Sequence, residues 1–174
     1  MSTLNKLSRS IRDVPDFPKK GIIFKDITTL LQDPKMFKKA VDAIYKNYKN
    51  KKVDCIACVE ARGFIFGAVL AYKLNAGLIL VRKKGKLPHK THGITYALEY
   101  GKDTLEIHQD AIKPKARVLV VDDLLATGGT ITAVCRLMQK LKANIVGVAF
   151  LIELKFLSGR KKLKKYPIYS LIKY

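Results

Sequence analysis

Apolar residues follow two patterns that alternate along the chain. Continuous apolar runs, such as those at 55–59 and 118–121, are typical of strands buried on both faces of a parallel sheet. Through 36–48, apolar residues instead recur every three or four positions, which predicts a helix with one buried face. Because strand and helix patterns alternate, we predict an α/β fold in which helices flank a central, mostly parallel sheet.

Local signals predict individual elements. Asp33 as N-cap and Pro34 in the first turn predict the start of the helix through 36–48. The strands at 55–59 and 77–81 are joined through a helix, which implies that they pair in parallel. The other predicted elements are short strands at 22–24 and 169–172, helices at 64–74 and 130–142, and a strand at 145–152.

Two stretches interrupt the alternation. Residues 12–21 are too rich in Pro and Gly to predict regular structure, and we treat residues 1–32 as a small N-terminal hood segment. The core then comprises residues 33–174. Within the core, residues 82–95 combine basic side chains with Gly and Pro, which predicts a long mobile loop. Together with a hairpin that follows it, this loop forms a mobile flap at residues 82–108.

Composition restricts the class of protein. The 174 residues suffice for one domain with a sizeable core. No apolar run approaches the length of a membrane span, and the N-terminus lacks the apolar core of a signal peptide, so we expect a cytoplasmic protein without a membrane partner. An odd number of cysteines, three, favours reduced thiols. Cys55 and Cys58 lie within an apolar strand, which favours packed thiols over a metal site.

The formal net charge of +20 raises the question of a polyanionic partner. Lys supplies 27 of the 34 basic residues, whereas base readout and phosphate clamping favour Arg. The lysines are also spread along the whole chain, and we interpret the basic run at 160–165 as a solvated segment. We therefore expect a Lys-rich solvated surface and no nucleic acid as a specific partner.

The strongest chemical signal is the stretch 117–130. An apolar strand there ends in Asp122 and Asp123, and a loop of small residues at 126–130 opens the next helix. Backbone N–H groups of such a loop, with the positive end of the helix dipole, form a seat for a phosphate group. Paired carboxylates beside that seat suit sugar hydroxyls or a metal ion. An ordinary βα loop is the alternative, but this combination is uncommon, so we infer a ribose 5-phosphate ligand.

This stretch resembles the phosphoribosyl pyrophosphate (PRPP) motif of the type I phosphoribosyltransferase family. Further blocks, in matching order, resemble the adenine-specific members of that family. The resemblance implies that adenine and PRPP react to give AMP and pyrophosphate, with Mg²⁺ held mainly by PRPP and no direct metal ligand from the protein. It also implies a homodimer. The further blocks are 16–18 with 21–27, Glu60-Ala61-Arg62-Gly63-Phe64, 82–88, and Leu98-Glu99-Tyr100-Gly101.

The resemblance also implies roles for individual residues. Glu99 would handle a proton of adenine, because a carboxylate enclosed by a closing flap could have the raised pKa that this role needs. Arg62 and Lys83 would join Glu99 as catalytic residues, and Asp122 and Asp123 would bind the ribose. The implied contacts are Ala126, Thr127, Gly128, Gly129 and Thr130 with the 5-phosphate, Arg62, Gly63, Lys83 and Lys86 with pyrophosphate, and Ile23, Phe24, Lys25, Arg62 and Leu124 with adenine.

Two positions depart from the family pattern. Lys25 stands where Arg is usual, and Lys20 stands where Pro is common. Lys does not replace Arg at a bidentate contact, so transfer to another purine is an alternative function. An alternative of a different class is a PRPP-sensing regulator that binds nucleic acid. Glu99 and the basic cluster at 83–86 favour catalysis over that alternative.

Overall fold

The computed structural model describes residues 3–97 and 101–174. They belong to two compact units, residues 1–43 and residues 44–174, with the boundary inside one long helix. The division into a hood segment at 1–32 and a core at 33–174 stays a prediction. Within the described residues, no helix has both the length and the apolar character needed to cross a membrane.

The first unit contains a two-stranded antiparallel sheet and helices on either side of it in sequence. Its third helix begins as predicted, since the Asp33 carboxylate accepts hydrogen bonds from the backbone N–H groups of Lys35 at 2.8 Å and Met36 at 3.1 Å. The elements are α1 (Thr3–Arg9), β1 (Arg12–Pro15), β2 (Ile23–Asp26), α2 (Thr28–Gln32) and α3 (Pro34–Tyr48), the last of which extends into the second unit.

The prediction that residues 12–21 lack regular structure is wrong for Arg12–Pro15. β1 pairs antiparallel with β2, in register from Arg12 opposite Asp26 to Pro15 opposite Ile23. The Arg12 guanidinium lies 2.6 Å from the Asp26 carboxylate, so an ion pair between the strands supports the ladder. Pro15 is tolerated because each strand of a two-stranded sheet is an edge strand.

The second unit is built on one sheet of seven strands. Its elements are β3 (Cys55–Val59), α4 (Arg62–Leu74), β4 (Gly77–Lys83), β5 (Thr91–Ala97), β6 (Lys102–His108), β7 (Arg117–Leu125), α5 (Gly129–Lys140), β8 (Asn144–Glu153), two 3-10 helices (Lys155–Leu157 and Gly159–Leu163) and β9 (Ile168–Lys173). The strand order is β5-β6-β4-β3-β7-β8-β9. All strands from β4 to β9 in that order are parallel, and the β5-β6 hairpin is antiparallel, which confirms the predicted mostly parallel sheet.

The central strands are buried because helices pack on the sheet. Residues 118–121 of β7 are fully buried, which accounts for their continuous apolar character. α4 packs on β3 and β7, whereas α5 packs on β7 and on the hairpin strand β5. Close packing of α4 requires Gly67, since a Cβ there would lie 2.7 Å from Cys58 Sγ. Cys58 is a buried free thiol, as predicted, whereas Cys55 is only half-buried; Cys135 is also buried and free.

The predicted long loop at 82–95 is too long. β4 continues to Lys83, and β5 begins at Thr91 and pairs with β6 over its whole length. Ile94 and Tyr96 pack against the core, while Gly93, Thr95 and Ala97 are exposed. This period of two is the strand signal that the Gly and Lys content of the stretch obscures. Only residues 84–90 lie between the two strands.

The prediction of a solvated basic run is wrong for Arg160. Its guanidinium donates hydrogen bonds to both carboxylate oxygens of Glu153, from Nε at 2.9 Å and from Nη2 at 2.5 Å. It also donates to the backbone oxygen of Ile168 and to the hydroxyl of Ser170, each at 3.2 Å. Arg160 therefore ties the 3-10 helix at Gly159–Leu163 to β8 and β9.

Candidate active site

Two strand-to-helix turns lie side by side in the second unit, because β3 and β7 are neighbouring parallel strands. Residues 60–61 lead from β3 into α4, and residues 126–128 lead from β7 into α5. Parallel strands bring their carboxyl ends to the same edge of a sheet, which is where such folds bind ligands. The sequence motifs at 60–64 and 122–130 are therefore brought together.

The two aspartates lie within β7. The sequence predicts that the strand ends at Asp122 and Asp123, but β7 continues to Leu125 because Leu124 pairs with Ile152 of β8 and Leu125 with Glu153. The ladder therefore fixes the backbone that carries both carboxylates. One oxygen of Asp122 also accepts a hydrogen bond from the Asp123 backbone N–H at 2.9 Å.

Arg62 and Gly63, at the start of α4, contact these carboxylates. Arg62 Nε lies 2.8 Å from Asp123 Oδ2, in an ion pair whose carboxylate is almost fully buried. A Cβ on Gly63 would lie 3.0 Å from Asp122 Oδ1, so the missing side chain leaves room for that oxygen. The first turn thus supplies a cation and a close backbone approach to the acidic pair.

Burial dominates the electrostatics of the pair. Loss of hydration raises the pKa of Asp122 well above its usual range, and the neighbouring charge of Asp123 raises it further. Burial also raises the pKa of Asp123, while the Arg62 guanidinium opposes the increase. Two carboxylates that face one cation leave an excess of negative charge, which hydroxyl donors or a further cation would stabilise.

The loop between β7 and α5 has the form expected of a phosphate seat. Gly128 has φ +79°, in the left-handed region that favours glycine, and α5 begins at the next residue. Its carbonyl oxygen accepts hydrogen bonds from the backbone N–H of Thr132 at 3.0 Å and from the Thr132 hydroxyl at 2.7 Å. Within the described ranges, the turn and loop hydrogen bonds leave the N–H groups of residues 127–129 without an acceptor. These N–H groups remain for an anion at the helix N-terminus.

Strand β4 supplies cations beside the first turn. The Lys83 backbone N–H donates to Glu60 Oε1 at 2.6 Å, and its Nζ lies 3.4 Å from Asp103 Oδ2 of β6. Glu60 also accepts a hydrogen bond from Arg82 Nε at 3.0 Å, and Arg82 Nη1 donates to the carbonyl oxygen of Lys86 at 3.0 Å. Arg82 thereby orders the backbone that leads to Lys86, whose side chain is exposed.

A cavity of about 330 Å³ unites these groups. Tyr96 enters it from the hairpin, and its hydroxyl lies 3.4 Å from Thr130 Oγ1. Sequence reasoning missed Tyr96 and Asp103, although the alternating pattern of β5 and β6 is a signal that could have placed them. The lining residues are Val59, Glu60, Ala61, Arg62, Lys83, Tyr96, Asp103, Leu105, Asp122, Asp123, Leu124, Ala126 and Thr130.

Comparison with known proteins decides the family. The model of the phosphoribosyl transferase domain matches residues 26–173. The chain belongs to the phosphoribosyltransferase family. It is 60% identical over 171 residues to the adenine phosphoribosyltransferase of Syntrophotalea carbinolica, which covers 98% of this chain and 100% of that protein. The adenine phosphoribosyltransferase of Pelobacter propionicus is 57% identical, with 98% of this chain and 99% of that protein covered.

Solved structures of the phosphoribosyltransferase family have the same fold. The adenine phosphoribosyltransferase of Thermoanaerobacter pseudethanolicus superposes with a TM-score of 0.95 at 53% identity, covering 98% of this chain and 99% of that one. The enzyme of Saccharomyces cerevisiae, solved with an imino-altritol bisphosphate and adenine, has a TM-score of 0.92 at 38% identity, with 98% of each chain covered.

The cavity of this phosphoribosyltransferase is lined by several of the residues assigned from the sequence. Arg62, Lys83, Asp122, Asp123, Leu124, Ala126 and Thr130 line it. Glu99 lies outside the described residues. The expected adenine contacts Ile23, Phe24 and Lys25 belong to the first unit, where the Phe24 ring packs edge-on against Phe17 at 5.2 Å and Lys25 Nζ lies 2.6 Å from Asp13 Oδ1.

Proposed function

We propose that this protein transfers the 5-phosphoribosyl group from PRPP to adenine, giving AMP and pyrophosphate, as in purine salvage. One observation carries the proposal: the carboxylates of Asp122 and Asp123, the Arg62 guanidinium and two residues of the loop at 126–130, Ala126 and Thr130, line one cavity in a chain of this family. The near full-length identity of 60% to an adenine phosphoribosyltransferase supports adenine as the base.

Each end of PRPP has a matching set of groups. The N–H groups of residues 127–129 and the N-terminus of α5 bind the 5-phosphate, with Thr130 at the first turn. Asp122 and Asp123 accept hydrogen bonds from the ribose hydroxyls. Burial raises the pKa of both carboxylates because it removes water from their charged forms. The ribose hydroxyls replace that water as hydrogen-bond donors and so stabilise the charged forms.

The cationic groups bind the departing pyrophosphate. Arg62 and Gly63 at the first turn, with Lys83 and Lys86 beside it, place positive charge where the leaving group gains negative charge. No cluster of three or more His, Cys, Asp or Glu side chains that could hold a metal occurs among residues 3–97 and 101–174. We propose that Mg²⁺ would be held mainly by PRPP and would supply further positive charge to the pyrophosphate.

The transfer breaks one bond and forms one bond. The bond from the anomeric carbon to pyrophosphate breaks, and a bond from that carbon to an imidazole nitrogen of adenine forms. The sugar acquires cationic character between these events, and the charges of Asp122 and Asp123 stabilise it. The proton that adenine loses passes to Glu99. Ile23, Phe24, Lys25 and Leu124 are the proposed contacts of the base, and a homodimer in the cytoplasm stays the expected form of the protein.

Turnover with purified protein tests the function. With Mg²⁺ and PRPP, the protein should convert adenine to AMP, and the double variant Asp122→Asn/Asp123→Asn should be folded and inactive. If the protein converts hypoxanthine or guanine but not adenine, its substrate is another purine. Tight RNA binding at physiological salt without turnover would favour the regulator instead.

A further inference from the structure

A segment that is distant in sequence packs against the phosphate seat. Gly159, at the start of the second 3-10 helix, packs backbone to backbone against residues 126–128. A Cβ on Gly128 would lie 2.7 Å from the Gly159 carbonyl oxygen. A Cβ on Gly159 would overlap the Ala126 carbonyl oxygen and would lie 2.9 Å from Gly128 N. Neither backbone can shift toward the other, so the position of Gly159 limits the shape of the loop.

Arg160 fixes the position of Gly159. Its guanidinium makes the four hydrogen bonds to Glu153, Ile168 and Ser170 described above. Glu153 is 5% exposed, and its hydrogen bonds with Arg160 lower its pKa, so it remains charged at neutral pH. Glu153 also lies opposite Leu125 in the β7–β8 ladder, one residue before the loop begins. Glu153 therefore anchors both the start of the loop, through Leu125, and Gly159, through Arg160.

We propose that Arg160 and Glu153 are positioning residues for the phosphate seat, which hold Gly159 against residues 126–128 and so set the affinity for the 5-phosphate of the substrate. This inference rests on the proposed function, since it assigns the loop at 126–130 to that phosphate. Neither side chain lines the cavity, and neither needs to touch the ligand.

The effect should be confined to one end of PRPP. Arg62 and Lys83, which are assigned to pyrophosphate, lie on α4 and β4, whereas the hydrogen bonds of Arg160 within the described residues go to β8 and β9. Displacement of a bound group by about 1 Å can cost about a hundredfold in rate, so a modest shift of Gly159 is enough to weaken phosphate binding. A general loss of stability would weaken both ends alike.

Binding of the two halves of the substrate separates these cases. Ribose 5-phosphate and pyrophosphate are titrated calorimetrically into wild type, Arg160→Gln, Arg160→Lys and Glu153→Gln. The matched control is Arg117→Gln, because Arg117 forms a similar two-pronged ion pair with Asp54, with Nη2 at 2.6 Å and Nε at 3.1 Å, at the opposite end of β7.

Arg160→Gln and Glu153→Gln should raise the dissociation constant of ribose 5-phosphate at least about tenfold and that of pyrophosphate less than about threefold. Arg160→Lys, which keeps the charge but not the two-pronged geometry, should lie between wild type and Arg160→Gln, and it carries the test if Arg160→Gln does not fold. Arg117→Gln should change neither constant more than about threefold.

Unchanged ribose 5-phosphate affinity in the Arg160 and Glu153 variants would overturn the inference, and so would equal weakening of both ligands. Failure of the wild-type protein to bind ribose 5-phosphate at all would instead remove the proposed function, on which the inference rests. The two failures are distinguishable because one is seen only in the variants and the other already in wild type.

Discussion

Replacing Gly128 by Ala should damage both stability and PRPP binding. The positive φ of +79° costs an Ala residue about 1–2 kcal/mol. The new Cβ would also lie 2.7 Å from the Gly159 oxygen, whereas ordinary contact begins at 3.4 Å, so one backbone must move by about 0.7 Å. Overpacking of this kind costs about 1–3 kcal/mol. The free energy of unfolding should therefore fall by about 2–5 kcal/mol.

Gly85→Ala is the matched control for stability. Gly85 has φ +76° and no heavy atom within 4 Å of the added Cβ, so it shares the backbone cost but not the overlap. Its free energy of unfolding should fall by only about 1–2 kcal/mol. Urea denaturation of both variants measures the difference, and steady-state kinetics with PRPP as the varied substrate measures the effect on binding.

For Gly128→Ala, the KM for PRPP should rise about tenfold or more, while the KM for adenine changes little, because a shifted loop affects only the phosphate. The reasoning is refuted if Gly128→Ala is destabilised no more than Gly85→Ala and keeps the wild-type KM for PRPP. Such a result would mean that the contact with Gly159 does not constrain the loop.

Further predictions concern the carboxylates, the cations and the base. Because folding raises the pKa of Asp122, wild type loses stability relative to Asp122→Asn as pH rises above about 4. At pH 8 the variant should melt at the same temperature as wild type or a higher one, and this advantage should shrink toward pH 4. A difference in melting temperature that does not depend on pH would contradict this. Lys83→Met should raise the KM for PRPP about tenfold, since it removes one charge-assisted contact, and an unchanged KM would exclude Lys83 from the site. Glu99→Gln should lower kcat about a hundredfold with little effect on the KM for PRPP, and wild-type kcat would contradict the proton role. Tyr96→Phe should change kcat/KM less than about threefold, because a 3.4 Å hydrogen bond is weak; a larger loss would indicate direct contact with substrate.

The sheet was predictable because its strands are buried on both faces. Continuous apolar runs such as 55–59 identify such strands whatever surrounds them, and both the strands and their parallel pairing are found. The hairpin strand at Thr91–Ala97 was harder, since its period-two pattern is interrupted by Gly93 and preceded by a basic segment. β1 was missed because a short edge strand depends on its partner more than on its own composition.

Some residues of the candidate site could be predicted from the sequence, and others could not. Residues that carry a local signature, such as Asp122 and Arg62, could be assigned from the sequence and line one cavity. Gly159 and Arg160 could not, because their roles depend on contacts across some thirty residues of sequence between 128 and 159. A basic run gives no indication that one member of it, Arg160, has a buried carboxylate as partner.

If PRPP binds as proposed, the ion pair between Arg62 and Asp123 makes substrate binding an exchange of partners. Without a ligand, the protein's own cation and anion neutralise each other across the site. A pyrophosphate group that takes Arg62 as its partner releases a carboxylate, and that carboxylate becomes available to the ribose of the same molecule. In the proposed arrangement, intact PRPP contacts both Arg62 and Asp123, whereas ribose 5-phosphate or pyrophosphate alone contacts one of them. The two ends of the substrate are thereby energetically coupled, and the enzyme favours the whole molecule over its pieces.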